Sequence, residues 1–219
     1  MEGLDLFVLI EYLPLLAEGA LWTALISMLA GLLSFGMGIV FAVALLYAPA
    51  GVRALVAGFM WLFMGTPLLL QLFLIYFGLV QIGIDIPAIW SGVIGLGLHY
   101  AVYNADILRA GITSIDKGQT EGARSLGFGR LGTLSYVVVP QAVRLTLPPI
   151  GSNMIALLKE SSLVSVIGVA ELVNAAQLGI SSTFRPSEFY IFVAVVYYLL
   201  NLILEGVLAL IAKRVEATR

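Results

Sequence analysis

The sequence predicts an all-α protein that crosses a membrane several times, and three observations lead to this prediction. Apolar residues make up 61% of the chain and charged residues only 11%, with a mean hydropathy of +1.05, whereas soluble domains carry about 25% charged residues. Several uncharged runs reach the roughly 20 apolar residues that a helix needs to cross the hydrocarbon. Basic residues gather in the connections on one side of these runs, as they do in polytopic membrane proteins.

We predict five transmembrane helices in a single domain, at about 20–47, 54–82, 88–112, 149–165 and 188–212, with a polar connection at 113–140. The first span follows from the absence of charge between Glu18 and Arg53. Within it, small residues recur at every fourth position and share one helix face, where another helix can pack closely. These residues are Ala30, Ser34, Gly38 and Ala42.

The second and third spans carry residues that break or polarise a helix. Gly65, Thr66 and Pro67 interrupt the second uncharged run, so we expect a kink there. The third span contains His99, which we expect to be packed or hydrogen-bonded. Asp106 and Arg109 are three residues apart near its end and are expected to form a structural ion pair.

The fourth span is predicted to be short. Pro148 and Pro149 are expected to end any helix that comes from Gln141, with Pro149 as the first residue of a new helix. At 1.5 Å per residue, Glu160 would then lie roughly 16 Å into the membrane, near the midplane of a core about 30 Å thick. The stretch 163–186 is expected to be irregular or re-entrant at the far face.

The orientation follows from the basic residues in the connections. If successive spans cross the membrane in opposite directions, Arg185 lies on one side of the membrane. The other side then carries Arg53, Lys117, Arg124, Arg130, Lys213, Arg214 and Arg219. The positive-inside rule therefore places the 113–140 connection and the C-terminus in the cytoplasm and the N-terminus outside. Because the first turn is acidic and no cleavage site follows, we expect the first apolar segment to be retained as a span rather than removed as a signal peptide.

Composition and motifs exclude several other functions. The net charge of −2 argues against nucleic-acid binding, and the absence of cysteine together with a single histidine argues against a metal site. Gly127, Gly129 and Gly132 form a literal Gly-x-Gly-x-x-Gly, but no strand precedes it and no acidic residue follows at the required distance. We therefore expect no nucleotide site in this chain.

The polar connection instead carries the signals of a short helix. Asp116 can cap its N-terminus with Gln119 three residues later, as in a capping box, and Gly127 fits the left-handed position that ends a helix. Ala123 and Leu126 are then available to contact a partner. A plain linker between spans is the alternative that these local signals leave open.

Three stretches of the sequence resemble a known family. Glu121-Gly122-Ala123, Gly127 and Val137-x-Val139-Pro140 are similar in spacing to the Glu-Ala-Ala loop of ABC-importer permeases, with Gly122 where that loop has alanine. "GTPLLLQLFLIYFGL" (65–79) and "PQAVRLTLPPIGSNMIALLKESSLVSVIGVAEL" (140–172) resemble inner-membrane permeases of the polar amino acid uptake subfamily, which includes histidine, arginine, glutamine and opine importers. In that subfamily an arginine usually stands where this chain has Met64.

The resemblance implies the type I ABC-importer permease fold in the bacterial cytoplasmic (inner) membrane. It implies a second permease subunit, identical or related, two cytoplasmic ATPase subunits that bind ATP and Mg, and an extracytoplasmic amino-acid-binding protein. No cofactor is expected in this chain, which would be a transport subunit and not an enzyme. The helix around 117–128 would dock on the ATPase through Lys117, Gly118, Glu121, Gly122, Ala123, Arg124, Leu126 and Gly127.

The candidate substrate pathway centres on charged and polar residues near the predicted midplane. Charges within a span are costly and commonly functional, which singles out Lys159 and Glu160. Glu160 could accept from a substrate ammonium, while Ser161, Ser162 or Lys159 could meet its carboxylate. Asn153 is expected to line the pathway. An internal Lys-Glu or inter-helix ion pair with a purely structural role is an equally supported alternative.

Two other functions remain open on the residues alone. A proton-coupled secondary transporter would use Asp106, His99 and Glu160 as a relay, although the chain shows no inverted repeat of the kind common in such transporters. A purely structural membrane anchor would need neither the organised polar connection nor the charges within a span. Glu205 is expected to pair with another helix or to face a cavity.

Overall fold

The computed structural model describes residues 5–217, and these are almost entirely helical, with no strand among them. The α-helices are α1 (Val8–Tyr47), α2 (Ala50–Met64), α3 (Leu68–Phe73), α4 (Leu79–Gln81), α5 (Ala88–Thr113), α6 (Lys117–Ser125), α7 (Arg130–Thr133), α8 (Val139–Glu160), α9 (Leu172–Thr183) and α10 (Pro186–Ala217). Short π-helical segments, Leu74–Gly78 and Leu134–Val138, join α3 to α4 and α7 to α8, and a 3₁₀ segment, Ser161–Ile167, follows α8.

The long helix α1 packs along α5 through the small residues that recur every four positions. Ala30 and Ser34 are fully buried, and Gly38 and Ala42 are buried with them. A Cβ atom built on Gly38 would lie 3.0 Å from the Asn104 Cβ and 3.3 Å from the Ala101 carbonyl oxygen. The predicted small-residue face is therefore confirmed, and it allows the two backbones to approach closely.

Helix α1 is longer than the predicted first span, because it begins at Val8 rather than near residue 20. Its additional turns are stabilised by tertiary packing. Leu9 and Leu16 pack with Leu172 of α9 and with Phe189 of α10, all of them buried. Apolar burial of this kind, rather than helix propensity, supplies most of the stability of helices in proteins.

The predicted kink in the second uncharged run is confirmed. The chain bends by 111° between α2 and the segment Leu68–Gln81. Gln71 lies just after the bend, and its Nε2 donates to the carbonyl oxygens of Phe63 at 2.7 Å and of Thr66 at 3.0 Å. A single side chain therefore satisfies carbonyls at the break, which must not be left unpaired in an apolar setting.

The predicted break at Pro148 and Pro149 is wrong. Both prolines lie inside α8, and the helical segment runs without interruption from Arg130 to Ile167. Two prolines remove two N–H donors, but helices of membrane proteins tolerate this when side chains and neighbouring helices compensate. Helix α8 packs against α5 and α10, so neighbouring helices hold it in place.

The connection predicted at 113–140 stays a prediction, and helix α7 begins within it at Arg130. The absence of a break at Pro149 does change the expectation for Glu160. Glu160 ends α8, about 31 Å along the helix from Val139 at 1.5 Å per residue. The count that placed Glu160 near the midplane began at Pro149, so it no longer fixes the depth of this residue.

Three helical segments of the described chain are long and apolar enough to cross a membrane, namely α1, Arg130–Ile167 and α10, and the bent pair of α2 with Leu68–Gln81 could form a fourth. Helix α5 has the length predicted for the third span but carries more polar residues, and it lies at the centre of the bundle against α1 and α8. The prediction of five spans stays a prediction.

The stretch 163–186 is more regular than expected. The 3₁₀ segment ends at Gly168, whose φ of +83° is in the left-handed region. The chain then enters α9, which ends at Thr183 and is capped by Phe184, with φ of +55°. Proline follows two residues later and begins α10, so Gly168 and Pro186 bracket a helix and not an irregular loop.

Candidate functional site

A line of polar side chains joins α1, α5 and α8 inside the helical bundle. The Tyr100 hydroxyl donates to Glu160 Oε2 at 2.7 Å. Asn153 Nδ2 donates to Asn104 Oδ1 at 2.9 Å, and Asn104 Nδ2 donates to Ser34 Oγ at 3.3 Å. Because residues four apart share a helix face, Tyr100 and Asn104 present both pairs on the same side of α5.

Glu160 is the charged member of this line, and no cation of the described residues 5–217 pairs with it. The side chain is half-buried, and its hydrogen-bond partner is the Tyr100 hydroxyl. No ion pair to Glu160 occurs within residues 5–217, where the described ion pairs involve Arg109 and Arg185. A carboxylate has about four acceptor positions, so Glu160 keeps acceptor capacity for an ammonium or another donor.

The residues next to Glu160 in the sequence differ in the charge and the hydrogen-bond donors that they have available for a substrate carboxylate. Lys159 is exposed and makes no ion pair with Glu160, so the internal Lys-Glu pair, which the sequence left open as an alternative, does not form. The Ser161 hydroxyl donates to the Leu158 carbonyl oxygen at 2.7 Å, and the Ser162 hydroxyl donates to that of Lys159 at 2.9 Å. A hydroxyl has one proton to donate, so in this conformation neither serine has a free donor for a substrate carboxylate.

His99 is hydrogen-bonded, as expected. Its Nδ1 lies 3.0 Å from Gln71 Oε1, and its ring lies 5.3 Å and 5.2 Å from the rings of Tyr100 and Tyr103. Asp106 instead pairs with Arg109 at 2.7 Å, and both side chains are about half exposed, which confirms the predicted ion pair. No hydrogen bond given by the described side chains joins Asp106, His99 and Glu160 into a relay.

The short helix α6 has the predicted cap at Asp116 and the predicted end at Gly127, but Gln119 does not complete a capping box among the described hydrogen bonds, since its Oε1 accepts from Gln141 Nε2 at 3.4 Å. Asp116 caps it by accepting from the Gly118 backbone N–H at 2.6 Å. At its end, Gly127 has φ of +87°, the Phe128 N–H donates to the Ala123 carbonyl oxygen at 3.1 Å, and the Gly127 N–H donates to that of Arg124 at 2.9 Å. These two bonds are those of a Schellman motif, so both ends of a nine-residue helix are fixed locally.

The two faces of α6 are not equivalent. Ala123 is only 5% exposed, so the expectation that it is available to a partner is wrong, because it packs inward on the chain itself. Leu126 is 81% exposed, and the outer face is otherwise formed by exposed residues, namely Lys117, Gly118, Glu121 and Gly122. Arg124 is also exposed, but it lines a cavity beneath the helix together with Thr120.

Several polar residues of the bundle were not identified from the sequence. Tyr100, Asn104 and Gln71 are three of them, and their partners lie 28 to 70 residues away in the chain. Glu171 is the fourth and is fully buried. It accepts from the Thr23 hydroxyl at 3.2 Å, from the Tyr197 hydroxyl at 3.0 Å and from the Asn174 N–H at 3.0 Å. The sequence signal that could have identified these four residues is the position of each as a polar residue within an apolar run.

Comparisons with known proteins agree with one another. The family described as "Binding-protein-dependent transport system inner membrane component" matches residues 34–217. The chain is 32% identical over 97% of its length to the "Probable glutamine ABC transporter permease protein GlnM" of Bacillus subtilis (strain 168), covering 99% of it. It is 35% identical over 92% of its length to the "Arginine transport system permease protein ArtQ" of the same organism, covering 93% of it.

The fold is similar to that of a solved transporter chain. A chain in the crystal structure of an amino acid ABC transporter with histidines superimposes with a TM-score of 0.90. The two sequences are 38% identical, and the match covers 97% of this chain and all of the other.

Proposed function

Because the chain belongs to the family of inner membrane components of binding-protein-dependent transport systems, we propose that it is the membrane-spanning subunit of an ATP-driven importer for a polar amino acid. The observation that carries this proposal is the likeness, along 97% of the chain, to a chain of an amino acid ABC transporter. The relatives named for glutamine and arginine transport favour a polar amino acid as the substrate.

We propose the assembly and membrane topology typical of such importers. Two permease subunits form the pathway, two cytoplasmic ATPase subunits bind ATP and Mg and hydrolyse ATP, and an extracytoplasmic binding protein delivers the amino acid. The chain lies in the bacterial inner membrane with five spans and its N-terminus outside. The basic residues beside α6, Arg124 and Arg130, support a cytoplasmic position for this helix.

The polar line between α5 and α8 is the proposed substrate pathway. Glu160 accepts from the ammonium of the amino acid, because it is half-buried and has no cationic partner among the described residues. Asn153, which is half-buried, provides a further polar contact, and the fully buried Asn104 holds it in place by accepting from its Nδ2. Lys159, the exposed cation next to Glu160, is the candidate for the substrate carboxylate, since the hydroxyls of Ser161 and Ser162 donate to carbonyls of α8.

Helix α6 is the proposed contact to the ATPase. It is short, capped at both ends and exposed on its outer face, so it presents a rigid surface at low entropic cost. Glu121, Gly122, Gly118 and Leu126 form the docking face. Ala123 is buried on the inner side of α6, which packs against the segment Leu134–Val138.

Stimulated ATP hydrolysis tests the proposed function. The chain and its ATPase are reconstituted in nanodiscs, which enclose no compartment and therefore support no proton gradient. We expect the amino acid, delivered by its binding protein, to increase the rate of ATP hydrolysis. The absence of any stimulation, combined with proton-driven uptake in liposomes, would support a proton-coupled transporter instead.

Labelling of single cysteines tests the topology. The chain contains no cysteine, so each introduced thiol is the only one. Ser125 ends α6 and Ser182 lies near the end of α9, and both are exposed. We expect a membrane-impermeant maleimide to label Ser182→Cys from outside the cell and Ser125→Cys only in inside-out vesicles. Labelling of both positions from the same side would contradict the proposed topology.

A further inference from the structure

A cavity of about 570 Å³ lies beneath α6, and nothing in the proposed transport function uses it. Its walls come from the end of α1, the end of α5, the inner face of α6 and the segment 130–138. Cavities of 300–1,000 Å³ are the usual size for small-ligand sites. Tyr47, Ile112 and Leu134 form part of an apolar wall, whereas Arg124 and Arg130 bring two positive charges to the same cavity.

Both arginines lack an anionic partner within residues 5–217. The described ion pairs involve other basic residues, Arg109 and Arg185, and no described hydrogen bond uses Arg124 or Arg130 through its side chain. Two guanidinium groups on one cavity without a carboxylate favour an anion there, and the planar fork of arginine matches the geometry of a phosphate group.

We propose that this cavity binds the phosphate group of an anionic phospholipid. Arg124 and Arg130 pair with the phosphate, and the apolar wall covers the glycerol and the first carbons of an acyl chain. The site lies at the ends of the apolar helices α1 and α5, and basic pockets between helices at this level of a membrane suit anionic head groups. The bound lipid would then join α6 to the helix that follows it.

Binding to the purified full-length chain tests this site without depending on transport. The chain in neutral detergent is titrated with dioctanoyl phosphatidylglycerol, with dioctanoyl phosphatidylcholine and with inorganic phosphate, and bound adducts are counted by native mass spectrometry. We expect a tight complex with phosphatidylglycerol alone. Equal binding of the zwitterionic lipid would overturn the proposal. Saturation by inorganic phosphate that displaces the lipid would overturn the assignment to a lipid in favour of a free phosphate ligand.

Two variants connect the binding to the named residues. Replacing both arginines (Arg124→Gln with Arg130→Gln) should weaken phosphatidylglycerol binding roughly thirty-fold. Each basic residue near an anionic lipid strengthens binding by a similar factor, so each arginine accounts for about half of this loss in binding free energy. Lys213→Gln, which removes an exposed charge of α10 outside the cavity, is the control and should bind like the wild type. Unchanged affinity in the double variant would overturn the proposal.

Discussion

Replacement of Glu160 by glutamine separates a substrate contact from a structural role. The amide has the same size and still accepts from the Tyr100 hydroxyl, which lies 2.7 Å from the carboxylate. A hydrogen bond to a charged group contributes about 1.5–3 kcal/mol and one between neutral groups about 0.5–1.5 kcal/mol. The loss of fold stability should therefore stay near 1 kcal/mol, or a few degrees in Tm.

The effect on the substrate should be larger, because a substrate ammonium loses its charged acceptor. A loss of about 1.5–3 kcal/mol corresponds to a roughly 10- to 150-fold higher amino acid concentration for half-maximal stimulation of ATP hydrolysis. The assay measures this concentration and the melting temperature on the same reconstituted complex.

Two further variants serve as controls for this prediction. Glu205→Gln neutralises an exposed carboxylate that accepts from Asn201 on its own helix at 2.8 Å, and it should leave the stimulation unchanged. Tyr100→Phe removes the hydroxyl but keeps the charge of Glu160, so it should shift the half-maximal concentration less than Glu160→Gln. If Glu160→Gln lowers only the melting temperature and leaves the stimulation intact, the carboxylate is structural and the reasoning is refuted.

The remaining predictions concern the α1–α5 contact and α6. Gly38→Val should destabilise the fold by about 1–3 kcal/mol, since even a Cβ would lie 3.0 Å from the Asn104 Cβ. Gly36→Val, where nothing lies within 4 Å, should change the melting temperature little, and equal effects would contradict the close approach. Gly122→Ala should stabilise α6 by up to about 1 kcal/mol, seen as slower hydrogen exchange of its amides, because the added Cβ meets open space. Glu121→Lys should release the ATPase in co-purification without reducing membrane insertion, and retention of a fully coupled ATPase would argue against docking by α6.

Local patterns in the sequence predicted those parts of the fold that depend on residues close together in the chain. Small residues at every fourth position identified the buried face of α1, and Gly65 with Pro67 identified the bend. The cap at Asp116 and the left-handed Gly127 were predicted in the same way, because each rests on contacts within a few residues.

The error at Pro148 and Pro149 arose because local chemistry was not decisive there. Proline disfavours a helix interior by about 3 kcal/mol in water, but α8 packs against α5 and α10. Tertiary packing outweighed the local preference, and the depth assigned to Glu160 was lost with the predicted break.

The candidate site could be predicted only in part. Glu160 and Asn153 were identified because they are polar residues near a predicted span, but their partners Tyr100 and Asn104 lie 60 and 49 residues away in the chain. Glu171 was missed because its segment was expected to be irregular, whereas in the fold it caps α9 and joins that helix to α1 and α10. Pairings between distant helices depend on the fold as a whole and leave no periodic signal.

Uptake of a radiolabelled polar amino acid by proteoliposomes is the most direct test of ATP-driven import. The vesicles contain the chain with its ATPase, enclose ATP, and receive the binding protein from outside. We expect uptake that requires the enclosed ATP and continues at the same rate when a protonophore is added. Uptake without ATP that follows an imposed proton gradient and stops with the protonophore would contradict the proposed function.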